Sequence, residues 1–184
     1  MTTSVDLRLL AVDALKDATT AGANVYSPRD LATWDGDYPM LVVTAPQEDG
    51  QGLGRIGAPQ FNVTTTLRVL GRVQRAAEED DLAAAKLYED LEALRDQVKR
   101  AIINHPTIMG LLQQYPFFRS AIDEAAREDS GLHQGQVVVD IGMEFFQGPD
   151  EFYQEPYPGL SVVQAQVPMP EGTEFPGATI NLPQ

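Results

Sequence analysis

The chain has 184 residues, 43% of them hydrophobic, which is enough for one domain with a real core and too short for two ordinary domains. It carries 13 basic and 27 acidic side chains, and this balance argues against a protein that binds nucleic acid through its phosphates. A protein that encloses DNA without binding it remains compatible with this charge. Because the sequence contains no cysteine, it excludes disulfides, thiolate nucleophiles and thiolate metal sites.

The first predicted element is an amphipathic helix that begins after Thr3 and runs to about Thr20. Thr3 and Asp6 match a capping box, with Asp in place of the usual Glu. Gly22 is the predicted C-terminal cap. The apolar face is predicted at helical spacing, at Val5, Leu9, Val12 and Leu15.

No signal peptide precedes the helix and no apolar run is long enough to span a bilayer, so we expect a cytoplasmic protein without a membrane partner.

Three extended segments follow. Residues 24–26 form a short extended piece, and residues 39–45 are a compact apolar run that predicts a strand buried on both faces and central in the sheet. Residues 61–73 alternate apolar and polar side chains, which predicts a strand with one buried face. The two longer strands are expected to form a hairpin around a loop at residues 47–60.

That loop contains a dinucleotide-binding fingerprint. Residues 52–57 read Gly-Leu-Gly-Arg-Ile-Gly and follow a strand. The fingerprint works when its last glycine opens a helix that faces the pyrophosphate, whereas here an alternating strand follows. We therefore expect either a simple mobile glycine-rich hairpin loop or a mobile loop that becomes ordered against a neighbouring molecule, with a small nucleotide-binding enzyme as the alternative from another functional class.

The longest signal is a helix over residues 78–104. An acidic run at residues 78–81 suits its first turn better than a metal site, and Lys99 and Arg100 suit its last turn. Ala84 and Ala101 are predicted to flank its apolar stripe. The stripe consists of Leu87, Leu91, Leu94, Val98 and Ile102. Such a stripe needs a sheet or another helix to cover it.

The remaining sequence predicts an insertion, a final strand and an arm. Residues 107–112 and 116–122 are predicted as two short helical pieces, within an insertion at 106–134 that covers a sheet edge. Residues 135–147 predict a strand with its buried face at Val137, Val139, Ile141, Met143 and Phe145. Val138 and Phe146 suggest that its other face is also partly covered.

From residue 148 onward the composition changes, with seven of the 13 prolines in the last 37 residues. Such a segment cannot build its own core, so residues 148–184, beyond the domain of residues 1–147, are predicted to be an extended arm or a disordered tail, and the spaced aromatic residues favour the arm. Phe152, Tyr153, Tyr157 and Phe175 would anchor this arm on another subunit or a partner.

The sequence contains few residues in patterns that are typical of catalytic or metal sites. His105 is predicted at a helix end and His133 in a loop, with no nucleophile elbow and no zinc spacing near them. Asp35 and Asp37 lack the other ligands of a calcium loop. We therefore predict no enzymatic activity, no cofactor and no metal.

The element order predicts an α/β sandwich of the α+β class, in which two main helices cover one face of a small mixed sheet. This order resembles that of the tail terminator proteins of long-tailed phages, the minor tail protein U-like family, over about residues 4–147. The resemblance is carried by Val-Tyr-Ser-Pro at 25–28, Pro-Met-Leu-Val-Val at 39–43, the glycine-rich loop, and Leu-Glu-Ala-Leu-Arg-Asp-Gln-Val-Lys-Arg-Ala-Ile at 91–102. The insertion and the arm depart from the family pattern.

The resemblance implies a homo-hexameric ring that caps the tail tube, ends its polymerisation and joins it to the head connector or neck protein. The ring would assemble in the host cytoplasm and enter the virion, and its acidic lumen would pass genomic DNA without specific binding. The departures also allow a head-tail adaptor or neck (tail completion) ring. The residues expected at interfaces are Gly52, Gly54, Arg55, Phe117, Phe118, Phe152, Tyr153, Tyr157 and Phe175.

Overall fold

The computed structural model of the chain describes residues 2–28, 36–54, 57–77, 82–127, 132–152, 162–166 and 177–181. The helices are α1 (Ser4–Leu15), α2 (Leu82–Ile103) and α3 (Pro106–Leu111), and a short 3-10 turn covers Pro149–Glu151. The strands are β1 (Val25–Tyr26), β2 (Met40–Gly52), β3 (Phe61–Ala76), β4 (Phe118–Arg127), β5 (Leu132–Gln147), β6 (Val162–Gln166) and β7 (Gly177–Asn181).

Five of the strands form one mixed sheet in the order β1-β2-β3-β5-β4. Only the short β1 runs parallel to its neighbour, and the other pairs are antiparallel. Helices pack on this sheet, so the predicted α+β class is confirmed. The prediction that the strand at 39–45 is central is wrong, because β3 occupies the middle of the sheet. Met40, Leu41, Val42 and Val43 are nevertheless all buried, as a strand covered on both faces requires.

Alternate residues of β3 and β5 build the core. The register pairs Val63 with Phe145, Leu67 with Ile141 and Val69 with Val139, which places these side chains on the same face. The predicted stripe of α2 is buried in the same apolar cluster, so its place on the sheet is confirmed. Its flank is Ala83, while Ala84 is exposed. The acidic run at residues 78–81 lies outside the described residues.

Two glycines let α2 approach the sheet closely. A Cβ atom on Gly71 would lie 2.9 Å from Leu94 Cδ2, and one on Gly135 would lie 2.6 Å from Leu91 Cδ1. Real Cβ atoms do not come that close to a neighbour. The absence of side chains at these two sheet positions therefore sets the distance between helix and sheet.

Helix α1 begins where predicted and ends earlier. The hydroxyl of Thr3 accepts a hydrogen bond from the Asp6 amide at 3.1 Å, and the Asp6 carboxylate accepts one from the Thr3 amide at 3.1 Å, so the capping box is confirmed. The helix ends at Leu15, and Gly22, with φ +54°, lies in the turn that follows. The helix buries Leu7, Ala11, Val12 and Leu15. Val5 and Leu9 of the predicted stripe are exposed, because the helix packs through the face centred on Leu7 and Ala11.

The hairpin is longer than predicted. Residues 47–52 were expected to lie in a loop, but β2 continues through a β-bulge between Thr44 and Gln47 and stays paired with β3 to Gly52. The connection between the strands is therefore residues 53–60. Strand β3 offers backbone hydrogen bonds to β2 as far as Phe61, which lies opposite Gly52. This pairing outweighs the low strand propensity of Gly50 and Gly52.

The predicted insertion is only partly helical. Its first piece is α3, but the second, at 116–122, is wrong as a helix because Phe118–Arg127 forms strand β4. A short apolar run is compatible with a helix or a strand. Here it forms a strand because it pairs with the otherwise open edge of β5. The final strand is confirmed, and all five predicted inward side chains are buried.

Residues Met1–Pro149 and Asp150–Gln184 form two separate units. In the second, β6 and β7 pair antiparallel from Val162 opposite Asn181 to Gln166 opposite Gly177. The sequence predicted an extended arm here and did not predict this hairpin.

Candidate assembly surface

The tip of the β2–β3 hairpin carries the predicted loop residues. Gly52 lies at the end of β2, where a Cβ atom would be 3.7 Å from the Phe61 ring, and Gly54 lies in open space. Arg55 is outside the described residues. After Gly57 the chain enters β3 rather than a helix, so the helix N-terminus on which pyrophosphate binding depends does not follow this fingerprint.

The outer edge of β2 is open beyond its first residues. Strand β1 pairs only with Leu41 and Val42, and among the described strands none pairs with the rest of this edge. Residues 46–54 are exposed. An open edge presents backbone N–H and C=O groups that are ready to pair with another chain.

Two carboxylates mark this edge. Glu48 accepts a hydrogen bond from the Ser4 hydroxyl, and Asp49 accepts one from the side-chain Nε2 of Gln47 at 2.7 Å. Neither carboxylate has a basic group within ion-pair distance in the part of the chain that the structure describes. Among the described residues, neither negative charge is neutralised by a direct ion pair.

The opposite border of the sheet is β4. Phe118 is 56% exposed there, on the face that carries α2, and the Lys99 ammonium lies 5.6 Å from the centre of its ring. Lys99 also contacts Asp96 at 2.7 Å, and this hydrogen bond lowers the pKa of Asp96, with a smaller contribution from the Lys99 charge. Arg100 lines the same cleft and donates from Nε to the Asp96 carbonyl at 3.3 Å.

Phe117 lies on the other face of the sheet from Phe118. Its ring covers Gly142, where a Cβ atom would be 2.6 Å from it, and the guanidinium of Arg119 lies 4.7 Å from the ring centre. Beside them Arg68 and Asp140 form a two-point ion pair. The Asp140 hydrogen bond and charge raise the pKa of Arg68. The predicted partial cover of this face is confirmed, because Phe117 provides it.

These groups line a shallow cavity of about 390 Å³ on that face. The cavity is bordered by Pro46, Gln47, Asp49, Thr66, Arg68, Phe117, Arg119 and Asp140. The structure thus brings Phe117 together with residues of the hairpin, and it separates Phe117 from Phe118.

Of the predicted arm anchors, the structure describes one. Phe152 follows the 3-10 turn and is 44% exposed. Tyr153, Tyr157 and Phe175 lie outside the described residues.

The histidines do not form a site. His105 occupies the N-cap position of α3, and its Nδ1 atom is buried without a hydrogen-bond partner. His133 was predicted in a loop and instead lies on β5, opposite Arg75 of β3. Among the described residues, no three His, Asp or Glu side chains cluster in a way that would hold a metal ion. None of the described helices is both long and apolar enough to cross a bilayer.

Comparison of the sequence with the models of known protein families gives no match, and comparison with curated proteins gives none either.

The sequence-based list of interface residues does not include Glu48 and Asp49 of β2, Arg100 of α2 or Arg119 of β4. Residues 118–122 do not alternate between apolar and polar side chains, so no local signal identified β4 or the position of Arg119, which depends on pairing with β5. For Glu48 and Asp49 the signal was hidden, because their place on an open edge depends on the continuation of β2 past its bulge.

Proposed function

We propose that this protein forms a ring that caps the tail tube of a long-tailed phage, ends the polymerisation of the tube and joins it to the head connector. Its partners are further copies of itself, the tail tube protein and a connector or neck protein. The protein acts in this role as a structural component and not as an enzyme.

The observation that carries the assembly part of this proposal is the long β2–β3 hairpin. Beyond Val42, the outer edge of β2 is unpaired among the described strands, and residues 46–54 are exposed. Strand edges of this kind are usually covered or shortened in proteins that remain monomers. A head-to-tail contact that uses such an edge closes into a ring when the rotation between subunits divides a full turn.

Support for the tail role comes from the sequence. The element order and the segments at 25–28, 39–43 and 91–102 resemble tail terminators. The formal charge of −14 fits a ring through which DNA must pass, because a lumen lined by acidic groups repels phosphates and does not hold them.

The experiment is sedimentation velocity of the purified full chain over a range of concentrations, followed by negative-stain imaging. We expect a discrete ring, of one stoichiometry, that grows at the expense of the monomer as concentration rises. A protein that remains monomeric, both alone and with purified tail tubes, contradicts the proposal. A ring that binds head connectors and leaves tail length unchanged indicates the neck-adaptor role instead.

A further inference from the structure

The strands at the two open edges of the five-stranded sheet, β2 and β4, run in opposite directions and could therefore pair between two copies of the chain. Strand β2 runs antiparallel to β3, β3 to β5, and β5 to β4, so β4 is antiparallel to β2. When two copies stand side by side with their helices on the same side, β4 of one copy therefore meets β2 of the next in antiparallel orientation. That is the orientation of every long strand pair within the sheet.

Their charges are also complementary. The β2 edge carries Glu48 and Asp49. The β4 edge carries Arg119, and Arg100 of α2 lines the cleft beside Phe118. Across the described residues, none of these four side chains has an oppositely charged group within ion-pair distance. Each edge therefore carries charge that an adjacent copy is able to neutralise.

The charges match face by face as well. Glu48 pairs with Thr65 of β3, which places it on the face that carries the helices, and Asp49 pairs with Thr64, which places it on the opposite face. On β4, Phe118 is on the helix face beside Arg100, and Arg119 is on the opposite face beside Phe117. A continuous sheet across two copies brings a basic and an acidic group together on each face.

We propose, building on the ring proposed above, that the subunits join by antiparallel pairing of residues 118–121 of β4 with residues 47–50 of β2 in the next copy. In this register Arg119 lies opposite Asp49, Phe118 opposite Gly50 and Ala121 opposite Gln47. The occupant of each open edge is thus a second copy of this chain.

The register explains two features of the edges. Phe118 is exposed in the single chain and gains cover beside Gly50, which has no side chain to obstruct it. Pro46, which lacks an N–H group, lies at the bulge and ends the pairing there. The charged side chains at both edges disfavour pairing between two identical edges, because like charges then meet.

The first test is a charge exchange in the full chain, read by sedimentation velocity. Arg119→Glu and Asp49→Arg should each lower the association constant at least about tenfold, because like charges then face each other. The double variant should return to within about threefold of the wild type, and an equimolar mixture of the two single variants should also assemble. Lys86→Glu and Glu89→Arg make the same charge changes on α2, away from both edges, and should not reduce assembly. Melting temperatures establish that every variant is folded.

The second test uses disulfides, since the chain has no cysteine of its own. On mild oxidation, Gln47→Cys with Ala121→Cys should link subunits into a ladder, because both side chains lie on the same face of the joined sheet. Gln47→Cys with Ser120→Cys is the matched control and should link poorly, because Ser120 points to the other face.

The outcomes separate the two proposals. A wild-type ring that is insensitive to both charge reversals, or that links equally well through position 120 and position 121, overturns this interface and leaves the ring standing. Failure of the double variant to regain assembly also overturns the pairing. A wild type that is monomeric at every concentration, with no ladder from the cysteine pair, overturns both.

Discussion

Arg68 on β3 and Asp140 on β5 form a two-point ion pair across the centre of the sheet, with Nε–Oδ1 at 2.7 Å and Nη2–Oδ2 at 2.8 Å. The register places the two residues directly opposite each other. The Arg68 side chain is 48% exposed, so solvent weakens the attraction between the charges. The pair therefore aligns two strands more than it stabilises the fold.

We expect Asp140→Asn to lower the free energy of unfolding by about 0.5 to 1 kcal/mol, the range of a well-oriented cross-strand pair. Urea unfolding measures the change. Asp13→Asn is the matched control: it makes the same change of charge and breaks a more exposed helix pair with Lys16, so it should cost less. If both variants lose the same free energy of unfolding, the two-point hydrogen bonding of Arg68 and Asp140 adds no stability beyond that of an exposed ion pair.

Gly71 and Gly135, which face α2, are expected to tolerate a side chain poorly. Gly71→Ala and Gly135→Ala should each destabilise the protein by about 1 to 3 kcal/mol, because the added methyl group overlaps with Leu94 or Leu91 of α2. Gly54→Ala is the control, since nothing lies within 4 Å of the added atom, and it should change stability little. Melting curves that show the same shift for all three variants would contradict the close approach of α2 to the sheet.

The sequence predicted the elements with strong periodicity and missed those decided by distant partners. The stripe of α2 and the alternation of β3 and β5 each identify a buried face from local spacing alone. The strand state of β4 was not predictable in the same way, because its short apolar run becomes a strand only through pairing with β5. The extension of β2 past Thr44 likewise depends on β3, since Gly50 and Gly52 by themselves favour a loop.

The same distinction applies to the candidate surface. Phe117 and Phe118 were predicted as interface residues from their apolar character, and their exposure differs because adjacent strand residues face opposite sides. In the proposed interface, Glu48 and Asp49 are distant in sequence from Arg100 and Arg119. Only the fold reveals that the two carboxylates lie at one border of the sheet, and that Arg119 of β4 and Arg100 of α2 lie at the other.

Tyr115 should make the protein sensitive to alkaline conditions. Burial raises the pKa of its hydroxyl, which donates a hydrogen bond to the Ile102 carbonyl at 3.4 Å. A raised pKa in the folded state means that the unfolded chain loses this proton first. The stability from the neutral form is thus complete below the ordinary tyrosine pKa of about 10 and is lost as pH rises through the higher folded value.

Tyr115→Phe should therefore lower stability slightly at pH 8, by less than about 1 kcal/mol, and should reduce the loss of stability between about pH 9 and 11. Urea unfolding across this range measures both effects. Parallel pH profiles for the variant and the wild type would show that Tyr115 ionises equally easily in the folded and unfolded chains.

Ending the chain after Pro149 should leave a folded first unit. The core cluster of α1, α2 and the five-stranded sheet lies within Met1–Pro149. We expect a cooperative melting transition, together with poorer assembly or weaker partner binding, because the C-terminal segment is predicted to reach another molecule. Calorimetry and sedimentation velocity test the two parts separately. If the truncated chain is unfolded, the second unit is needed for the stability of the first. If it assembles normally, the second unit is dispensable for assembly.

In the proposed function the protein acts at the end of a growing tail, so tail length is the most direct measurement. Tail tubes assembled from purified tube protein should be imaged with and without this protein, and with Arg119→Glu as the variant expected to be defective in ring formation. With the wild type we predict tubes that stop growing and carry a ring at one end, whereas tubes without it, or with the variant, continue to lengthen. Tubes that lengthen equally in all three samples, with no density at their ends, would contradict the account.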